Sequence, residues 1–346
     1  MKLKKHYQIN LNDYKELNFN TDRVWFSTCQ FVLHKQDIFV IAVCKEDATK
    51  IKIVQFNKDR IVTHSVHNIF KTNYEYADSV INSLKMVSHN DDLLIFVSEK
   101  NKTDQNIPKE IIYFKDYDIS NPQTITYQNT IEPKKDTYGK TYATIQKIGN
   151  TDSDIFPIIL DGYNGFNLGQ QIALLKINFD NLSAKWQTEK QKELIKYKKE
   201  KYVFDAVQYK NGKTQYFSIG DSFRYKKFGM CGKIHLGETI NKKNEYKFKT
   251  IYNCEYDEKS SKLFGRTAIF TLDLKYLILK PAFLKHDPWG DGRTEKLYNL
   301  DKNELIDLEL PRGFSKHTII KGNENSFLLL GKNSKKENII SILEKE

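Results

Sequence analysis

Residues 28–66 read TCQFVLH-KQD-IFVIAVCK-EDAT-KIKIVQF-NKD-RIVTHSV. Four apolar or alternating runs are separated by three or four turn residues, the pattern of an antiparallel meander. The same grouping recurs along the chain. A second set spans 83–89, 92–99, 110–116 and 123–128, and a third 141–148, 154–161, 170–179 and 183–188. The fourth is 202–209, 213–220, 229–236 and 246–252, and the fifth 266–272, 275–280, 295–299 and 304–310. A repeat of about 55 residues with four strands each is the sequence mark of propeller blades. Second strands such as Leu93–Val97 and Ile155–Leu160 are almost wholly apolar, as strands covered on both faces must be, while Tyr246–Tyr252 alternates like a half-exposed outer strand.

The ends complete the pattern. The final group has three strands (316–321, 326–331, 338–343), and a lone strand, 5–10, precedes the first complete group. An N-terminal strand that supplies the missing outer strand of the last blade leaves neither edge unpaired. The expectation is an all-β, single-domain β-propeller of six four-stranded blades, with seven the neighbouring count. The blades fall near 25–67, 82–128, 140–188, 201–252, 264–310 and 316–343 plus 5–10. The charged run 189–201 has helical spacing and reads as a linker between the third and fourth blades.

Composition narrows the function. No apolar run is long enough to cross a membrane as a helix, and the first residues lack an apolar signal core, so a cytoplasmic protein is expected. Cys29, Cys44, Cys231 and Cys254 have no CxxC spacing and read as reduced, buried thiols. Net charge is +11, yet only six of the 55 basic residues are arginine, the residue that clamps phosphates and reads bases. An acidic protein partner suits this balance better than nucleic acid, and no membrane partner is expected. There is no GxSxG elbow, phosphate loop, dinucleotide fingerprint, Asp box, WD or kelch signature.

Candidate sites fall in the longer loops, which belong to one face: 67–82, 162–169, 221–228, 253–264 and 281–293. Aromatic and arginine side chains there are the natural interface anchors: Tyr74, Tyr76, Tyr163, Phe166, Arg224, Tyr225, His286, Trp289 and Arg293. The segment His286-Asp287-Pro288-Trp289-Gly290-Asp291-Gly292-Arg293 has acid–base and metal-ligating side chains, but Asp-Pro and Asp-Gly pairs are also ordinary turn formers. The glycine-rich stretch 162–169 lies between two strands, without the helix N-terminus a phosphate cradle needs. No catalytic residue, metal or cofactor is assigned at this level.

In size, composition and blade pattern, most visibly in TCQFVLHKQDIFVIAVCKEDATKIKIVQF, the chain resembles the propeller-type immunity proteins of bacterial polymorphic toxin systems, in particular those guarding against Rhs toxins of type VI secretion. That resemblance implies a non-enzymatic protein that binds and neutralises a cognate, acidic toxin domain. The alternative reading is a propeller hydrolase or lyase with a metal-assisted central site near His286, Asp287 and Asp291.

Overall fold

The computed structural model describes residues 1–14, 29–43, 51–58, 61–66, 84–100, 106–131, 134–135, 141–142, 144–161, 171–187, 203–219, 233–239, 246–253, 262–283, 296–311, 315–323 and 325–346. Among them, regular structure is strand throughout apart from two 3-10 turns, Leu11–Asp13 and Lys115–Tyr117. Strand β1 (Leu3–Asn10) comes first. The first meander is β2 (Cys29–His34), β3 (Asp37–Val43), β4 (Ile51–Phe56) and β5 (Ile61–Val66). The second is β6 (Leu84–His89), β7 (Asp92–Lys100), β8 (Asn106–Phe114) and β9 (Gln123–Tyr127). A short pair follows, β10 (Lys134–Lys135) with β11 (Thr141–Tyr142).

The third meander is β12 (Thr144–Ile148), β14 (Ile155–Asp161), β15 (Gln171–Asn178) and β16 (Ser183–Trp186), with β13 (Asn150–Thr151) between its first two strands. The fourth is β17 (Val203–Lys210), β18 (Lys213–Ile219), β19 (Lys233–Thr239) and β20 (Tyr246–Asn253). The fifth is β21 (Lys262–Phe270), β22 (Tyr276–Phe283), β23 (Lys296–Asn299) and β24 (Glu304–Asp307). The last three strands are β25 (Ser315–Gly322), β26 (Ser326–Lys332) and β27 (Asn338–Lys345). Strand β1 adds antiparallel to β27 as their fourth, from Leu3 opposite Lys345 to Asn10 opposite Ile339.

Period-2 geometry explains the apolar second strands. In β7, Leu93, Ile95 and Val97 pack with Phe39, Ile41 and Ile53 of the first meander. Their neighbours Leu94 and Phe96 face the other way, onto Phe156, Ile158 and Leu160 of the third. In β26, Leu328 and Leu330 join Phe31 and Val40, whereas Phe327 and Leu329 join Ile278 and Leu297. Each of these sheets is interior on both faces, so polar residues on them have nowhere wet to go.

The first strands of neighbouring meanders touch in sequence: β2 with β6, β6 with β12, β12 with β17, β17 with β21, β21 with β25, and β25 with β2. Because every first strand turns into its second at the same end, the tight turns gather there and are stitched together. Lys35 pairs with Asp91 at 3.2 Å, and the Asn211 N–H donates to Asp152 Oδ2 at 2.9 Å. Lys210 Nζ donates to the Leu274 carbonyl at 3.1 Å, and the Leu272 N–H to that of Gly322 at 2.8 Å. Tyr7 Oη closes the set by donating to the Gln36 carbonyl at 2.6 Å.

Three seams have additional backbone contact; at the one between the fifth and last meanders, Lys2 bridges Glu309 in parallel. Outer strands β9 and β16 pair in parallel, Ser183 opposite Thr126 and Ala184 opposite Tyr127, which makes the second and third meanders one eight-stranded sheet. Asn129 locks that joint: its Oδ1 accepts from the Trp186 N–H at 2.7 Å and its Nδ2 donates to the Trp186 carbonyl at 3.0 Å. At the next seam β13 pairs in parallel with β17, and Gly149 passes so close that a Cβ there would lie 2.2 Å from the Val207 carbonyl oxygen. Only glycine fits such a backbone approach. Gly149→Ala is expected to cost about 1–3 kcal/mol, because the obstructing atom is backbone and cannot rotate away. Chemical denaturation that finds wild-type stability in this variant would show that the seam yields.

Candidate functional site

Every interface residue expected from the loops lies outside the described residues: Tyr74, Tyr76, Tyr163, Phe166, Arg224, Tyr225, His286, Trp289 and Arg293. So do Asp287, Asp291 and the charged run 189–201. Among the described residues, no group of three or more His, Cys, Asp or Glu is placed to hold a metal ion.

What the described strands do assemble is an inner wall. All six first strands carry polar residues within their length: Gln30 in β2, Lys85 in β6, Gln146 and Lys147 in β12, Asp205 in β17, Arg266 in β21, and Lys316 and His317 in β25; in β2, β6, β12 and β17 they are flanked by apolar or cysteine residues. Four of these strands also shift register at those positions: between Ile145 and Lys147, Phe204 and Ala206, Leu263 and Thr267, and Ser315 and Thr318. A register shift lodges extra residues in one strand and re-aims its side chains, a device common beside functional sites. Second strands β3, β7 and β14 have no such early break, as Ile38–Val43, Leu93–Val97 and Ile155–Leu160 show.

The described side chains give this wall its chemistry. Gln30 spans the first seam: its Oε1 accepts from the Met86 N–H at 3.1 Å and its Nε2 donates to the Leu84 carbonyl, so the amide does for the β6 edge what a strand partner would. Lys85 follows Leu84 on the same strand. Burial, reinforced by the charge of Lys147 on β12, pushes its ammonium down to about 8. Asn150 Nδ2 reaches over to the fifth meander and donates to the carbonyls of Phe270 and Thr271, both at 3.0 Å. Gln208 of β17 is fully buried, with its Nε2 donating to Gln215 Oε1 at 2.6 Å and its own Oε1 left without a hydrogen bond.

The opposite, turn-bearing end has a hollow of about 440 Å³ lined by Lys35, Gln36, Asp273, Asn323, Asn325 and Ser326. Asn323 and one carboxylate oxygen of Asp273 are occupied in shaping the turns. Asn323 Oδ1 accepts from the N–H groups of Asn325 and Ser326 at 2.9 and 2.7 Å, and Asp273 Oδ1 from that of Lys275 at 3.2 Å. These are Asx-turn contacts, the ordinary work of Asn and Asp in tight hairpins.

No family model matches the chain, and no curated protein matches it. Solved structures do. The GH93 α-L-arabinofuranosidase of Fusarium graminearum, in complex with arabinobiose, aligns over 99% of this chain and 98% of its own at 6% identity, with a TM-score of 0.57. The α-L-arabinanase of Penicillium chrysogenum, also with arabinobiose, gives 99%, 98%, 10% identity and 0.54. A puromycin-hydrolyzing peptidase of Mycobacterium tuberculosis aligns over 90% of this chain but 50% of its own, at 9% identity and a TM-score of 0.45.

The chain has a β-propeller fold.

This end-to-end likeness to glycosidases overturns the expectation of a non-enzymatic, partner-binding propeller. That expectation leaned on missing catalytic signatures. At 6–10% identity the fold persists where sequence signatures do not, so their absence never carried the weight placed on it. The resemblance to immunity proteins rests, as before, on composition and blade pattern alone. The cytoplasmic expectation is met only so far: among the described residues, no helix is long and apolar enough to cross a membrane.

Proposed function

We propose that this chain is a propeller hydrolase of the glycoside-cleaving kind, with six blades closed into a ring by β1 and a reaction site at the loop-bearing end of the axis. The observation that carries the reading is the recurrence of polar residues on all six first strands, in meanders that pack mainly through apolar clusters. The cyclic contacts from β2 round to β25 support the closed ring. Full-length alignment with two arabinan-directed enzymes supports the reaction class.

Glycoside cleavage requires one group to protonate the departing oxygen and a carboxylate to attack the anomeric carbon or to deprotonate water. Asp205 is the one carboxylate on the six first strands, and it stands at a register shift. We assign it one of these roles, with the second carboxylate supplied by the surrounding loops, where Asp287 and Asp291 are the sequence candidates.

Asp205→Asn is expected to lower turnover by about a hundred- to ten-thousand-fold while leaving the thermal transition in place. The assay is release of chromophore from a panel of aryl glycosides, neutral and acidic. Wild-type protein that cleaves none of them would end the hydrolase reading. Full activity in the Asn variant would remove Asp205 from it.

A further inference from the structure

The last and first meanders meet at the rim differently from the second and third. Outer strands β9 and β16 pair directly, whereas outer strands β1 and β5 belong to separate sheets. Between β1, with the 3-10 turn that follows it, and the turn joining β4 to β5 lies a groove of about 480 Å³. That volume is in the range of small-molecule sites.

The groove is amphipathic. Its apolar side has the rings of Tyr14 and Phe56, which meet edge to face with centroids 5.1 Å apart. Ile61 extends that surface. It is 45% exposed, and among the described residues it is the one large apolar side chain left open in this way. The polar side includes Gln8, Asn10 and Asp13. Asn10 Nδ2 donates to Asp13 Oδ1 at 3.3 Å, and Asn10 Oδ1 accepts from the Asn12 N–H at 3.0 Å. This edge is therefore set before a ligand arrives, which lowers the ordering cost of binding.

Charge narrows the ligand. Asp13 and Lys58 are the two charged residues of the lining and cancel, in a chain whose net charge is +11. A neutral saccharide matches what remains. Its C–H face packs on aromatic and aliphatic side chains, and its hydroxyls both donate and accept, as a carboxamide does.

We propose that this groove is a saccharide-binding site, distinct from the reaction site, that takes a short stretch of a neutral glycan. The groove stands on geometry; the choice of a saccharide as its occupant rests on the hydrolase reading. The groove lies on outer strands, whereas Asp205 stands on an inner one. A glycan anchored at the rim raises the effective concentration of its further units at the axis.

The test is an NMR titration of the isotope-labelled full chain with cellobiose, xylobiose and maltose, and with the uncharged peptide acetyl-Val-Thr-Val-Thr-amide. At least one disaccharide is expected to bind with a Kd on the order of 1 mM and to move the backbone amides of Gln8, Asp13 and Asn57. Tyr14→Leu keeps an apolar contact with Phe56 but removes the aromatic face. Ile61→Asp changes an exposed side chain, and it carries the test should Tyr14→Leu fail to fold. Each variant is expected to weaken binding about fivefold or more. Absence of binding by all three sugars at about 20 mM, or unchanged affinity in Ile61→Asp, would overturn the proposal. So would tighter binding of the peptide, which would make the groove a strand-binding site. Cleavage of aryl glycosides with the groove amides unmoved would sink this inference and leave the hydrolase standing. Disaccharide binding in the groove of a protein that cleaves no glycoside would end the hydrolase reading and keep the site.

Discussion

Replacing Leu3 and Leu11 together with alanine is expected to remove about 4–10 kcal/mol of stability, enough to leave most of the chain unfolded at physiological temperature. The two residues bracket β1 and are 2% and 1% exposed. Leu3 packs with Tyr276, Ile278 and Leu297 of the fifth meander as well as Phe327 of the sixth. Leu11 packs with Phe31, Ile38 and Val40 of the first, as well as Leu328 of the sixth. Strand β1 is thus pinned into both seams that flank the last meander, besides its backbone pairing with β27. The two leucines share no cluster, so their costs should add. Denaturant unfolding followed by circular dichroism measures the loss, with exposed Lys4→Ala as a neutral control. A double-variant loss below about 2 kcal/mol would mean that ring closure does not depend on β1.

Lys85→Met is expected to move stability in the other direction, and in a pH-dependent way. The folded-state midpoint of Lys85, about 8, lies below its unfolded value of 10.5. Between those two values the unfolded chain binds more protons, so stability rises with pH across that window, by about 1.4 kcal/mol per unit from this group. Below pH 8 the whole penalty is present, up to about 3 kcal/mol. Methionine keeps the side-chain length without the charge. It should recover much of that penalty at neutral pH and flatten the alkaline slope. Denaturation series from pH 7 to pH 11 distinguish the two proteins, and parallel slopes would place the titrating group elsewhere.

Much of the architecture was legible because burial on both faces leaves a plain mark. Runs such as Leu93–Val97 admit few readings, and the strands found at 84–89, 92–100, 155–161 and 213–219 lie within two residues of where hydrophobic periodicity sets them. The unpaired strand near the N-terminus and the three-strand final group likewise foretold the pairing of β1 with β27. Hidden from the sequence were contacts that depend on geometry between meanders: the parallel joint of β9 with β16, and β13. Two-residue pairings carry no periodicity.

The loop residues named from the sequence lie outside the described residues, and the candidate wall was overlooked for a different reason. Attention went to conspicuous loops with Tyr, Trp and Arg, while the inner-wall residues hid inside strands. A signal was nonetheless there. Lys85 interrupts the strand LKMVSH, Asp205 interrupts VFDAVQYK, and Arg266 interrupts KLFGRTAIF. A charge in a strand with two buried faces needs a reason, and comparing first strands with second strands would have exposed the pattern.

The parallel joint at Asn129 gives the ring a grain. The second and third meanders share hydrogen bonds at their outer rim and a single apolar cluster between their faces. They must therefore open together or not at all, and the easier hinges lie at seams held by side chains alone. Lys85 and Lys147 stand on the two inner strands of this stiff sector.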